Sequence, residues 1–149
     1  IGEAPGEYED LSGQPFVGRS GKLLDELLNE VGFDRYKNIY IANMLKCRPP
    51  KNRDPKPSEQ KLCINWLEKQ FEIINPKIIV CVGRISAQKL IDKNFKVTRQ
   101  HGEFVQKNGR LYTATYHPAA ILRNINNKPF AIDDWKTIRK KAEELGLDL

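Results

Sequence analysis

The chain has 149 residues, with 25 Lys and Arg against 19 Asp and Glu, and its formal charge is +6 at pH 7. A hydrophobic content of 40% suits one packed domain and excludes a disordered chain, while no apolar run reaches the ~18 residues of a membrane span. Three cysteines argue against a disulfide-stapled secreted scaffold, so we expect an intracellular, cytoplasmic protein. The basic balance is compatible with a polyanionic partner.

The start of the chain predicts a strand end. Ile1 enters a Gly/Pro loop at once, which is typical of the last residue of a hydrophobic strand. We therefore expect residues 1–149 to be a single domain that lacks an upstream segment.

Hydrophobic periodicity then predicts amphipathic helices along the chain. The first is capped by Ser20 and ends near Gly32, with Leu23, Leu24, Leu27, Leu28 and Val31 on one face. The second begins at Ser58 and is stopped by Pro76, and its expected inward positions are Leu62, Trp66, Leu67 and Ile74. The last runs from about Pro129 to Leu145, with Trp135, Ile138, Ala142 and Leu145 on one face.

Strands alternate with these helices. The segment 38–43 is β-branched and aromatic, and the apolar run 78–82 turns at Gly83 into a helix that ends near Leu90. Segments 103–107 and 110–115 flank Asn-Gly, a strong hairpin signal. The alternation predicts an α/β fold: a three-layer α/β/α sandwich whose central sheet is four-stranded and mostly parallel, with its first strand largely missing. The loops that follow the strands should share one rim.

The first rim loop is acidic although the protein is basic. Its carboxylates are Glu3, Glu7, Glu9 and Asp10. They either cap the next helix or hold one carboxylate in a cleft, where it can orient or activate water. Phe16, in the same loop, is either a core residue or a stacking platform for a planar ligand.

The second rim loop combines an amide, basic residues and a thiol. Asn43 either caps the loop or pairs with a complementary amide edge, such as that of a pyrimidine. Six basic residues in the stretch 46–61 suit phosphates or solvent equally well. Cys47 and Cys63 alone do not establish a metal site.

The loop after the last strand joins a histidine to a Leu-Arg pair. His117 precedes a proline, so its backbone is restricted and its side chain has a defined direction, although a structural role fits equally. Leu122 and Arg123 place an apolar wedge beside a cation, a pattern shared by side chains that invade a base stack and by ordinary short helices.

Five separated motifs follow one another in a fixed order. They are Gly2-Glu-Ala-Pro-Gly with Glu9-Asp10, then Pro15-Phe-Val-Gly, Asn43 with Lys46-Cys-Arg-Pro-Pro and Asn52-Arg53, Cys63, and His117-Pro-Ala-Ala with Leu122-Arg123. From residue 1 to about 140, this combination resembles the family 4, iron-sulfur uracil-DNA glycosylases of the uracil-DNA glycosylase superfamily.

The resemblance implies a repair enzyme that flips uracil out of DNA and hydrolyses its N-glycosidic bond, leaving an abasic site. It implies that Phe16 stacks on the uracil and that Asn43 pairs with its Watson-Crick edge. It also implies that His117 hydrogen-bonds O2, where negative charge develops, and that the backbone around Ala4 lines the pocket.

The resemblance further implies which residues orient the attacking water and which contact the DNA. Glu9 is expected to orient the water, and Glu3 to support it or the loop. The residues expected to contact DNA are Arg48, Arg53, Leu122 and Arg123.

The family's [4Fe-4S] cluster takes four cysteines, two of which match Cys47 and Cys63. The other two form an upstream pair that this sequence does not contain. Cys81, in a predicted buried strand, is interpreted as a core thiol. We expect the cluster to be present with two ligands visible here; the alternative is that it is absent.

Other interpretations of the same motifs stay open. One is a non-catalytic or covalent-capture uracil-DNA binding protein, although residues 43–47 lack the basic, His-containing insertion of covalent binders. Another is a non-catalytic iron-sulfur DNA-interaction module. The expected partner is uracil-containing DNA, single- or double-stranded, with no membrane, and the chain is expected to be a monomer.

Overall fold

A three-stranded sheet lies at the centre of the structure, a computed structural model that describes all 149 residues. The strands are β1 (Ile78–Val82), β2 (Val105–Lys107) and β3 (Arg110–Thr115), in the spatial order β1-β3-β2. β1 and β3 are parallel, whereas β2 and β3 form an antiparallel hairpin. Asn108 and Gly109 both have positive φ at its turn, which confirms the predicted hairpin.

Helices cover the sheet and connect its strands. Their bounds are α1 Glu7–Ser12, α2 Arg19–Glu30, α3 Pro57–Ile74, α4 Arg84–Leu90, α5 Val97–Gln100, α6 Pro118–Arg123 and α7 Lys128–Glu144. Short 3-10 turns lie at Pro50–Asn52 and Ile125–Asn127. No helix is both long enough and apolar enough to cross a bilayer.

Two apolar clusters pack against β1. Val82 lies in a large cluster with side chains of α2, α6 and α7, and Ile78 and Val80 pack at its edge. Ile79 and Cys81 belong to a second cluster with residues of β3 and α4. Successive strand residues point to opposite faces, so β1 is covered on both sides, as its continuous apolar run predicts. Cys81 is fully buried, in agreement with its interpretation as a core thiol.

The fold is mixed α/β, but the sheet differs from the prediction. It has three strands where four were expected, and one of its two pairings is antiparallel. The predicted strand at 38–43 pairs only through Asn43, in a single parallel bridge to Gly2. The backbone of Ile1 bonds to β1 on its other side. Residues 1 and 2 thus lie between the segment and β1, but the pairing is too short to form a regular strand.

The helices correct the sequence predictions in three places. α2 begins at Arg19 with Gly18 as its N-cap, so Ser20 is not the cap. On α3 only Leu67 is buried, whereas Leu62, Trp66 and Ile74 are exposed, contrary to their predicted inward positions. The apolar residues of α3 form an arc much wider than the face that packs on residues 42–44, so their spacing does not identify that face. In α7 the predicted face is confirmed except at Leu145, which is exposed.

Candidate active site

A cavity of about 760 Å³ opens where the loops after the extended segments meet. Glu3, Asn43, Gly83 and His117 line it, one from each of the four rim loops. The predicted meeting of these loops is therefore found in the structure. Ala4, Glu9 and Phe16 line the same cavity, so it gathers every residue predicted to be catalytic or substrate-binding.

Phe16 belongs both to the core and to the cavity wall. Its side chain packs in the large apolar cluster, and its ring centroid lies 5.6 Å from that of His117 with the planes tilted by 35°. Two glycines make room for this arrangement. A Cβ on Gly2 would lie 2.5 Å from the Phe16 ring, and a Cβ on Gly21 would lie 1.9 Å from the Phe16 carbonyl oxygen.

His117 is held in one protonation pattern. It is the N-cap of α6, and its Nδ1 accepts a hydrogen bond from the Ala119 amide at 3.0 Å. Loss of water contact, together with the positive charge of Arg123, lowers the pKa of His117 to about 4. The imidazole is therefore neutral at physiological pH, with its proton on Nε2. It can donate one hydrogen bond to a group in the cavity.

Gly83 allows Glu3 and His117 to approach the same point. Its φ is +101°, and a Cβ there would lie 3.0 Å from His117 Cβ and 3.2 Å from Glu3 Oε1. Burial and the nearby charge of Asp54 raise the pKa of Glu3. A carboxylate with a raised pKa is a better base toward water once it is ionised.

The carboxylate of Glu9 is occupied by the backbone of its own loop. Oε1 accepts from the Gly6 amide at 3.0 Å, and Oε2 accepts from the Val17 and Gly18 amides at 2.9 and 2.6 Å. The first bond caps α1, and the other two hold the start of α2. Glu9 thus connects the two helices that flank Phe16.

Asn43 brings an unsatisfied amide to the cavity. Its side chain is buried, and Oδ1 accepts no hydrogen bond within the protein. Below it, Lys46 Nζ donates to the Asn43 carbonyl oxygen at 2.9 Å and to Gln70 Oε1 at 2.7 Å, which fixes the backbone. A buried amide oxygen without a partner is costly, so this one is available to a ligand.

Of the four residues predicted to contact DNA, two line the cavity and two lie outside its lining. Arg123 and Arg53 line it. Arg53 makes two hydrogen bonds to the Glu59 carboxylate, at 2.7 and 3.0 Å, so its charge is already paired. Arg48 lies outside the lining and donates to Asn52 Oδ1, while Leu122 is 38% exposed beside Arg123.

The predicted metal ligands are free thiols outside the cavity. Cys47 is exposed and Cys63 is half-buried. No set of three or more metal-binding side chains converges anywhere in the 149 residues. The residues present therefore supply at most two of the four thiolates of a cluster and do not complete its ligand set.

Two sets of hydrogen bonds near the site could not be predicted from the sequence. Arg35 donates to the backbone around Phe16, although it lies 19 residues away in the chain. His101 and Thr115 both hydrogen-bond the buried carboxylate of Asp134, beneath the strand end that leads to His117. Such contacts join distant segments, so no local spacing reveals them.

Comparison with known proteins identifies the family of this chain. The model of the uracil DNA glycosylase superfamily matches residues 1–139. Type-4 uracil-DNA glycosylases from Archaeoglobus fulgidus and Thermotoga maritima are 44% and 45% identical to this chain, covering 97% and 86% of it and 74% and 67% of their own lengths. The enzyme of the same name from Sulfurisphaera tokodaii is 44% identical over 95% of the chain and 68% of its own length. The chain belongs to the uracil-DNA glycosylase superfamily and, within it, to the type-4 family.

Proposed function

We propose that this protein excises uracil from DNA by hydrolysing the N-glycosidic bond, as the names of its relatives indicate for them. The observation that carries the proposal is the convergence of three groups in one cavity: the Phe16 ring, the Asn43 amide and a neutral His117. A flipped pyrimidine needs a stacking surface, a partner for its polar edge and a donor for its departing charge.

Recognition of uracil falls to Phe16 and Asn43. The Phe16 ring offers an apolar face to the flat base. The Asn43 side-chain oxygen can accept a hydrogen bond from N3–H of uracil, and its NH₂ group can donate one to O4. Cytosine carries an amine in place of O4, so it would face the amide with a donor where an acceptor is needed.

Stabilisation of the leaving group falls to His117. As the bond between C1′ and N1 breaks, its electron pair passes to the base, and negative charge develops at O2. The Nε2–H of neutral His117 donates to that oxygen, while Nδ1 stays bound to the Ala119 amide. A donor fixed in advance does not have to reorganise during the reaction.

Activation of the water falls to Glu3. Water adds to C1′ through its oxygen and gives up a proton, which the ionised Glu3 carboxylate can accept. Three backbone amides already engage Glu9, so its geometry favours a role in holding the loop over the water-orienting role expected from the resemblance. We therefore assign the water to Glu3 and the positioning of the loop to Glu9.

DNA is held outside the pocket. Leu122, at the exposed end of α6, fits the gap left by a flipped nucleotide, and Arg123 lies beside it at the cavity. Arg48, whose Nε already donates to Asn52 Oδ1, would contact a phosphate through its terminal nitrogens, and Arg53 can reach one only by leaving Glu59. Because phosphate contacts release counterions, binding should weaken as salt rises.

Cys47 and Cys63 would contribute two thiolates to the [4Fe-4S] cluster of the family. Both thiols are free, Cys47 in the loop that follows Asn43 and Cys63 on α3. The cluster would tie α3 to the loop that carries Asn43, and no step of the reaction is assigned to it. Iron and sulfide analysis of the intact gene product tests this: a colourless, iron-free and fully active protein would refute the ligand assignment.

A uracil-containing oligonucleotide tests the activity. The protein is incubated with a single-stranded oligonucleotide that carries one uracil, and the product is treated with alkali. Breakage only at the uracil position, with a thymine control left intact, supports excision. An intact strand that comigrates with protein under denaturing conditions would indicate covalent capture instead. An intact, free strand would indicate a binding module.

A further inference from the structure

All three nitrogens of the Arg35 guanidinium donate hydrogen bonds, although the residue lies in a turn outside the helices and strands. Its side chain is only 9% exposed. Nη1 donates to the Pro15 carbonyl oxygen at 2.8 Å, and Nη2 donates to the Phe16 carbonyl oxygen at 2.6 Å. Nε donates to Asp25 Oδ1 at 2.7 Å, so a carboxylate from α2 fixes the plane of the guanidinium. Neither backbone carbonyl accepts any other hydrogen bond.

The backbone that Arg35 holds is a strained one. Phe16 has a φ of +51°, in the left-handed region that residues with a Cβ disfavour. A bulky residue stays there only when its surroundings determine it, and such positions cluster at functional sites. Here the strained residue is the aromatic one in the cavity wall.

Two charged side chains hold the Phe16 loop from opposite directions. Arg35 takes the carbonyl oxygens of residues 15 and 16, and Glu9 takes the amides of residues 17 and 18. Four successive residues are therefore tied by charge-assisted hydrogen bonds, which are the stronger kind. Gly21 allows the loop to lie directly against α2.

We propose that Arg35 is a positioning residue that sets the Phe16 ring for stacking on the flipped base. The proposal rests on the proposed function of the site, because it names what holds its stacking surface. Arg35 acts through Phe16 and touches neither base nor sugar. The planar fork is essential to this role, because a lysine offers a point charge and cannot hold two neighbouring carbonyls in one plane.

The first test is a double-mutant cycle with Phe16. Arg35→Gln should lower the single-turnover rate of uracil excision by about 10- to 100-fold, because small misplacements of binding groups cost rates of this size. Arg35→Lys should fall in between. In a Phe16→Ala background, Arg35→Gln should cause less than about a twofold further loss, since the ring it positions is gone. An equal loss in both backgrounds would overturn the proposal.

Arg139 provides a matched control. It also donates to a backbone carbonyl, that of Gly32 at 3.0 Å, and also pairs with a carboxylate, Glu143, but it lies away from Phe16. Arg139→Gln should leave the excision rate unchanged. If both variants lost activity in proportion to their loss of thermal stability, Arg35 would be a general stabilising residue only.

Amide hydrogen exchange gives a readout that does not need activity. In Arg35→Gln the amides of Val17 and Gly18 should exchange faster than in the wild type, because the other half of the clamp is released. Arg139→Gln should leave them protected. A wild-type protein that cannot excise uracil would refute the proposed function alone, whereas unchanged exchange in Arg35→Gln would refute the role of Arg35 alone.

Discussion

The Ala119 amide donates to Nδ1 of His117 over 3.0 Å, and this bond decides which nitrogen of the ring carries the proton. A backbone N–H can only donate, so Nδ1 must accept and Nε2 must hold the hydrogen of the neutral ring. The other histidine has the opposite pattern, because Nδ1 of His101 lies 2.9 Å from the Asp134 carboxylate and has to donate.

The two histidines should therefore be distinguishable by NMR. Nitrogen spectra at pH 7 should show His117 neutral with its proton on Nε2, and His101 with a proton on Nδ1. Because burial and Arg123 disfavour the cation, His117 should take up a second proton only near pH 4. A His117 that titrates near 6.5, the ordinary value for the side chain, would contradict the assignment.

Glu3 should set the acid side of the pH profile. Its pKa is raised above the ordinary 4.5 by burial and by Asp54, so its carboxylate is protonated at a higher pH than an exposed glutamate. The single-turnover rate should fall as pH drops through this raised value, while His117 is still neutral. Glu3→Gln should be slower by about 10²- to 10⁴-fold and should show no such fall. An acid limb that persists in Glu3→Gln would assign it to another group.

Glu9→Gln should show the reverse pattern, with lower stability and a smaller loss of rate. Oε1 and Oε2 both accept from amides, so either orientation of a glutamine turns its NH₂ toward a donor. Leaving such donors unpaired costs about 1–3 kcal/mol of unfolding free energy, measured by urea denaturation. A Glu9→Gln protein with wild-type stability and no activity would return the water-orienting role to Glu9.

Gly21→Ala should destabilise the protein although it lies in a helix. Replacing Gly by Ala in a helix normally stabilises it by about 0.5–1 kcal/mol. Here the new Cβ would lie 1.9 Å from the Phe16 carbonyl oxygen, so the loop must move, at a cost of about 1–3 kcal/mol. Lys22→Ala, on the exposed face of the same helix, should change the unfolding free energy by less than about 0.5 kcal/mol. Equal unfolding free energies of the two variants would show that the Phe16 loop moves away from the new Cβ without a measurable cost.

Asn43→Asp should reduce excision of uracil by at least about 100-fold. A carboxylate only accepts hydrogen bonds, so it loses the donor to O4 and places a negative charge beside that oxygen. Asn29→Asp, on the exposed end of α2, is the control and should retain the wild-type rate. Wild-type excision by Asn43→Asp would reject the pairing role of the amide.

Local patterns in the sequence predict those parts of the fold that depend on local forces. The hairpin at Asn108-Gly109, the turn at Gly83 and the buried face of α7 follow from turn chemistry and periodicity. The number of strands does not follow from local patterns. Residues 38–43 form a strand only if a long enough neighbouring segment pairs with them, and here only Gly2 does. The buried face of α3 is likewise not determined by the sequence, because the apolar arc of that helix is wider than the face that it buries.

The candidate site divides in the same way. The residues that line the cavity were predicted from motifs at strand ends and from the resemblance they carry. The contacts that hold them were predicted only in part: helix capping was one of the two alternatives for the carboxylates around Glu9, whereas nothing in the sequence indicated that Arg35 holds the backbone of Phe16. A side chain that bonds to a backbone group can do so whatever residue supplies that group. The partner therefore cannot be recognised from its residue type in the sequence.

Three glycines, Gly2, Gly21 and Gly83, allow the groups in and around the cavity wall to pack closely against the backbone. A Cβ on Gly2 or Gly21 would overlap Phe16, and a Cβ on Gly83 would press tightly on His117 and Glu3. The absence of a side chain at these three positions thus lets the groups around the cavity lie as close together as they do. The geometry of the site therefore depends on backbone positions that bear no functional group, as well as on the side chains that do the chemistry.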